Sequence, residues 1–291
     1  MRNRFSFLIV FLICATLFAK VPKIEVDALL DLYESTNGKH WIRTWDLKAP
    51  IADWYGVKVV DDHVVEINLF RNNLMGALPK TLGNLSHLNM LNLAFNNITG
   101  ELPEGMVQLE NLKVLKLEMN KIRGELPETI GALASLEELT AFNNFISGNI
   151  PEGIGEISNL KILNLSSNAL SGEIPNSLGD LSSLESLGLF ENSLHGFIPR
   201  EIGKLVKMKE LVLANNQLSG AIPEEFGQLA SLEVFQIQNN QFNSFDNLQL
   251  MDAKQFLVFD YDGSDIKVDF KDINFSNSRM ADTKFEDDID H

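Results

Sequence analysis

Residue types suited to acid, base, nucleophilic or metal chemistry are thinly spread through this chain. His40, His63, His87 and His195 stand at least 23 residues apart. The flanking patterns put them in an N-terminal segment, ahead of a strand, on a return loop and in an outer turn. No two are expected to share a site, so no metal site and no cofactor is expected. No HExxH, GxSxG, P-loop or dinucleotide fingerprint occurs. The only cysteine, Cys14, lies in an N-terminal apolar run. Thiol catalysis, thiolate metal sites and internal disulfides are therefore excluded from the rest of the chain. The run Asp260-Tyr261-Asp262-Gly263-Ser264-Asp265 has the wrong glycine position for a calcium loop, and no Glu follows at its twelfth place. It reads as a solvated turn. Two carboxylates, Glu118 and Glu138, are the one pair suggestive of general acid–base work, with Lys116 beside them. A set of Phe residues at 70, 95, 142 and 190, with Met119 among them, suggests binding instead.

What positions these residues is a repeat. Asn recurs at 72, 96, 120, 144, 168, 192, 216 and 240, in steps of 24. Gly follows four places later from 76 to 220, and Pro seven places later from 79 to 223. Seven of the nine prolines occupy that one column. One copy reads Leu160-x-x-Leu163-x-Leu165-x-x-Asn168-x-Leu170-x-Gly172-x-Ile174-Pro175-x-x-Leu178-Gly179-x-Leu181. Leu163 and Leu165 alternate with outward residues, which is a short strand with one buried face. The Asn both donates and accepts, so stacked copies can satisfy buried turn backbones. Gly permits positive φ as the chain turns away, and Pro presents no N–H to satisfy. No copy buries its leucines alone; stacking makes one continuous core.

This pattern resembles the plant-type leucine-rich repeat, LxxLxLxxNxLxGxIPxxLGxL, over residues 64–245, in seven full copies and one partial. The departures are few: Val107 for a late Gly, Ala141 for a strand Leu, and Ser244 where the array ends. The resemblance implies an α/β solenoid: a right-handed superhelix with a concave parallel β-sheet and a convex side of 3-10 turns and loops. It also implies an N-terminal helical cap and a C-terminal strand cap. Trp54-Tyr55-Gly56-Val57 is similar to the end of the family's N-terminal cap. Ala52 and Val59 stand where plant members carry cysteines, so the cap looks more like those of secreted bacterial or protist relatives. The family includes receptor ectodomains and polygalacturonase-inhibiting proteins.

The outward strand positions form four columns on the concave face, at 66, 68, 70 and 71 and every 24 residues onward. Eight strands give a face about 38 Å long. Stability does not demand aromatic rings there, and exposed rings on a rigid surface are good anchors. The expected partner-binding set is Phe70, Arg71, Phe95, Lys116, Glu118, Met119, Glu138, Phe142 and Phe190, centred on Phe95, Met119 and Phe142. The bland alternative is that these rings fold over neighbouring strands. For Glu118 and Glu138, strand rise and spacing suggest backbones about 8 Å apart, within the range of about 6.5 to 9.5 Å used by inverting glycosidases. The face is open, however, and Lys116 would pair with either, so a solvated charge cluster is expected and no catalytic residue is assigned.

Arg2 and Arg4, the apolar stretch from Phe5 to Phe18 and the small Ala19 form a secretory signal layout over residues 1–19. It is short for a membrane span. Residues 20–63 form the N-terminal cap, with amphipathic spacing from Ile24 to Ser35 stopped by Asn37-Gly38, and Trp41, Trp45 and Trp54 roofing the first strand. Residues 246–280 form a C-terminal cap with a last strand within Gln255 to Tyr261; residues 281–291 are an acidic, disordered tail. A net charge of −16 argues against nucleic acid and anionic membranes as partners. Asn84, Asn97, Asn164 and Asn274 lie in N-glycosylation sequons. The expectation is a secreted, extracellular or periplasmic, non-catalytic protein. Its partner is a protein or peptide; a cell-wall polysaccharide, with Asn68, Asn92 and Asn164 beside the rings, is the alternative.

Overall fold

The computed structural model describes residues 21–262. The expected signal segment, the acidic tail and the Asn274 sequon lie outside them, as does the expected C-terminal cap beyond Asp262. Among the described residues no helix is long and apolar enough to cross a membrane.

The period-two leucine pattern becomes a ten-stranded sheet. Val57–Val60 pairs antiparallel with His63–Asn68. From there every partner is parallel, through Met90–Asn92, Val114–Lys116, Glu138–Thr140, Ile162–Asn164, Ser186–Gly188, Glu210–Val212, Val234–Gln236 and Val258–Asp260. The register advances by 24 residues per strand, as in Leu139↔Leu163↔Leu187. Leu163 and Leu165 are fully buried, and with their equivalents they form one core running the length of the array.

A second sheet was not foreseen. Its eight parallel strands run from Met75–Ala77 to Gln241–Ser244. The first seven contain the repeat glycine at positive φ, for example Gly172 at 79°, and the last, Gln241–Ser244, has none. The expected 3-10 turns then follow on the convex side. Pro175 precedes Asn176–Asp180, and its carbonyl accepts from the Leu178 N–H.

The asparagine column ties the coils together as its chemistry requires. Asn120 Nδ2 donates to the Leu93, Leu117 and Glu118 carbonyls at 3.0–3.3 Å, and its Oδ1 accepts the Ile98 N–H at 3.0 Å. Leu93 and Ile98 belong to the preceding coil and Leu117 and Glu118 to its own turn, so one side chain closes both turn and stack.

At the N-terminal end the helix Lys23–Ser35 buries Ala28, Leu29, Leu32 and Tyr33. Asn37 turns the chain in the left-handed region, at φ 60°. Trp41, Trp45 and Trp54 are all buried; Trp45 stacks on Trp54 at 4.7 Å and meets Trp41 edge-on at 4.9 Å. The three indoles are cap core, with each Nε1 donating to a backbone carbonyl. At the other end the Asp262 carboxylate accepts the Asn239 and Asn240 N–H groups at 2.8 and 3.2 Å, doing for the last coil what the next asparagine does elsewhere.

Candidate functional site: the concave face

The concave columns point outward, as the leucine spacing dictates. Along His63–Asn68, for example, Val64 and Ile67 are buried while Glu66 and Asn68 are partly open. The last column has a special backbone. Arg71, Phe95, Met119, Asn143, Ser167, Glu191, Asn215 and Asn239 all have φ between 49° and 57°. This left-handed turn lifts the chain out of the sheet while the ladder continues, with Met119 N–H donating to the Phe142 carbonyl at 2.9 Å. Asn tolerates the conformation; Phe and Met do so only with strain. The turn is common to all eight coils, so the strain at Phe95 and Met119 comes from bulky side chains in a geometry the repeat imposes.

The expected residues separate into two groups. Phe70 and Phe95 are 41% and 40% exposed and meet edge-to-face at 5.2 Å, with exposed Arg71 adjoining. Lys116 and Glu138 are part-exposed and pair at 3.0 Å. Met119 is half-buried, its Sδ 2.8 Å from the amide nitrogen of Asn143. Phe190 is half-buried, about 24 Å along the face from Phe70 by strand spacing.

Phe142 and Glu118 do not belong to the open surface. Phe142 is buried, which removes it as the expected central anchor. Glu118 is also buried, and the Thr140 hydroxyl donates to its Oε2 at 2.6 Å. Burial pushes its carboxyl above the usual value; the Thr140 bond and Lys116 oppose the rise, and Glu138 adds to it. The expected solvated charge cluster is thus corrected at Glu118, which is buried.

The pair geometry is corrected too. Register places Glu138 opposite Val114, four residues before Glu118. Backbones offset by four residues and one strand are about 14 Å apart, not 8 Å. With Glu138 held by Lys116 and Glu118 turned to Thr140, no water-activating pair forms.

A further correction concerns the histidines. His63 and His87 stack with ring centroids 3.6 Å apart, on the buried Glu25 of the cap helix. Their separation of 24 residues is one repeat, and that was the available signal.

A family profile for a leucine-rich repeat region matches residues 68–147, and a leucine-rich-repeat profile matches residues 159–181 and 207–229. The chain folds as a leucine-rich-repeat solenoid. Its solenoid is similar to plant receptor ectodomains. One is that of GASSHO1/SCHENGEN3 from Arabidopsis thaliana, solved with CASPARIAN STRIP INTEGRITY FACTOR 2 (30% identity, 80% of this chain and 29% of that one, TM-score 0.71). Another is PEPR1 with AtPEP1 (27% identity, 83% and 36%, TM-score 0.71). A third is the Arabidopsis receptor kinase HAESA with an IDA peptide hormone ligand (29% identity, 82% and 40%, TM-score 0.68). This solenoid thus spans between 29% and 40% of the length of these ectodomains. No curated protein matches the chain by sequence.

Proposed function

We propose that this solenoid is a secreted binding protein that takes an extended peptide or protein segment along the N-terminal half of its concave face. The observation that carries this reading is the Phe70–Phe95 pair, two exposed rings in edge contact where the fold requires none. An apolar ligand side chain inserted against that pair gains buried area on a platform that needs no ordering. Arg71 favours an acidic group next to it. Met119 and the Lys116–Glu138 pair extend the surface across the next two strands. Phe142 and Glu118 support it from below. The similar HAESA ectodomain, solved with a peptide hormone ligand, supports a peptide as the class of ligand.

The test is selection of random displayed peptides on the chain, followed by affinity measurement on a Phe70→Ser/Phe95→Ser variant whose fold is verified by circular dichroism. Binding should weaken at least tenfold. Equal affinity on the folded variant rejects the site. Hits on a glycan array with no selectable peptide would transfer the same face to a carbohydrate ligand.

A further inference from the structure

Away from the concave face, the junction between cap and first coil gathers three ligating side chains. Glu25, in the first turn of the helix Lys23–Ser35, is 2% exposed. Its Oε2 accepts the Val64 N–H at 2.8 Å, which fixes the carboxylate. Its Oε1 faces His63 Nδ1 at 2.6 Å and His87 Nδ1 at 3.9 Å. The two imidazoles lie face to face, 21° from parallel, and one ligand atom from each of the three residues falls within 4.8 Å of the others.

A proton can bridge Glu25 to His63, but at 3.9 Å it cannot also serve His87, whose Nδ1 has only the Ser86 hydroxyl at 3.2 Å. An ion at the common focus serves all three. Four-coordinate zinc, with bonds of about 2.1 Å, sets its donor atoms about 3.4 Å apart. The two Glu25–His separations bracket that value. Closing on an ion requires His63 to withdraw by roughly 0.8 Å, His87 to approach by roughly half an ångström, and one ring to turn out of the stack so that the ion lies in the plane of each imidazole. His87 is half exposed, so its ring can turn at the cost of the His63 stack and the Ser86 hydrogen bond. Two imidazoles and a carboxylate suit zinc and similar first-row divalent ions rather than calcium or magnesium. The Val64 N–H supplies the outer-shell bond that orients such a ligand.

We propose that Glu25, His63 and His87 form a zinc site that clips the N-terminal cap to the first coil. The ligands come from the cap helix, the start of the strand His63–Asn68 and the first convex turn. Glu25 and His63 are 38 residues apart in sequence. Joining such distant segments constrains the unfolded chain, much as a disulfide would. With a single cysteine in the sequence, the chain has no internal disulfide to do this.

The test uses the untagged full chain, stripped with EDTA and titrated with Zn²⁺ by calorimetry, with Co²⁺ absorption as a coordination readout. One ion should bind per chain and raise Tm, and EDTA should reverse the rise. His87→Ala, chosen because the ring is exposed, should stay folded and lose affinity at least tenfold. His63→Ala should do the same, while His195→Ala, remote on the surface, should bind as the wild type does. Absence of saturable one-to-one uptake by the wild-type chain, or uptake unchanged in His87→Ala, overturns the proposal.

Discussion

Replacing Met119 with Asn should stabilise the solenoid and weaken its ligand at the same time. Met119 holds φ at 56°, a conformation that costs an ordinary side chain about 1–2 kcal/mol and Asn less. The same column already carries Asn at 143, 215 and 239. There, Asn239 Nδ2 donates to Asn215 Oδ1 at 2.7 Å across adjacent coils. A new amide at 119 faces Asn143 in the same way, adding about 0.5 kcal/mol for an exposed bond. Losing the half-buried methionine contacts subtracts about 1 kcal/mol. The net gain is about 0.5–1 kcal/mol, or a Tm rise of about 1–4 °C. Thermal unfolding by circular dichroism reads the first effect, and affinity for a selected peptide reads the second. Asn215→Met, the reverse change in the same column, should lower Tm. A fall in Tm for Met119→Asn, or a rise for Asn215→Met, would show that the left-handed column is not strained. Unchanged peptide affinity in Met119→Asn would remove residue 119 from the site.

Three other perturbations probe what supports the face. Glu118→Gln should stabilise the fold at neutral pH: burial raises the folded carboxyl above its ordinary value, so the native state prefers the protonated acid and loses stability as pH rises through that interval. Chemical denaturation at several pH values should show the gap between variant and wild type shrinking towards acid; a constant gap contradicts the assignment. Asn120→Ala orphans the Ile98 N–H and removes a donor from three carbonyls, which should cost about 2–4 kcal/mol in denaturant titrations, whereas Asn176→Ala, at an exposed position of a 3-10 turn, should stay within about 0.5 kcal/mol. Gly76→Ala should destabilise the cap junction by more than about 2 kcal/mol, because φ is 128° and the added Cβ would collide with the Ser35 carbonyl oxygen; a Tm equal to wild type would show that the junction yields.

The stacking was legible because each repeat column answers one physical demand. Asn120 must satisfy turn backbones, Gly172 must accept positive φ, and Leu163 must be covered by a neighbouring coil. The second sheet was less visible: Ala169–Glu173 has only one leucine and a glycine, too short a run for alternation to stand out. Which outward side chains stay outward was not legible at all. Phe70 and Phe142 occupy the same column, yet one is exposed and the other buried, because the outcome depends on neighbours one coil away. The rise in the Glu118 carboxyl follows from that same burial. His63 and His87 share a column, but their third partner, Glu25, belongs to the cap, where no period applies.

Hydrogen–deuterium exchange on the full chain, with and without a saturating selected peptide, tests the account most directly. It predicts protection concentrated in residues 66–71, 90–95 and 114–119, with the opposite strands from Met75–Ala77 to Lys121–Glu125 unchanged. Protection confined to the second sheet or the convex turns, with the concave segments unaffected, would contradict it.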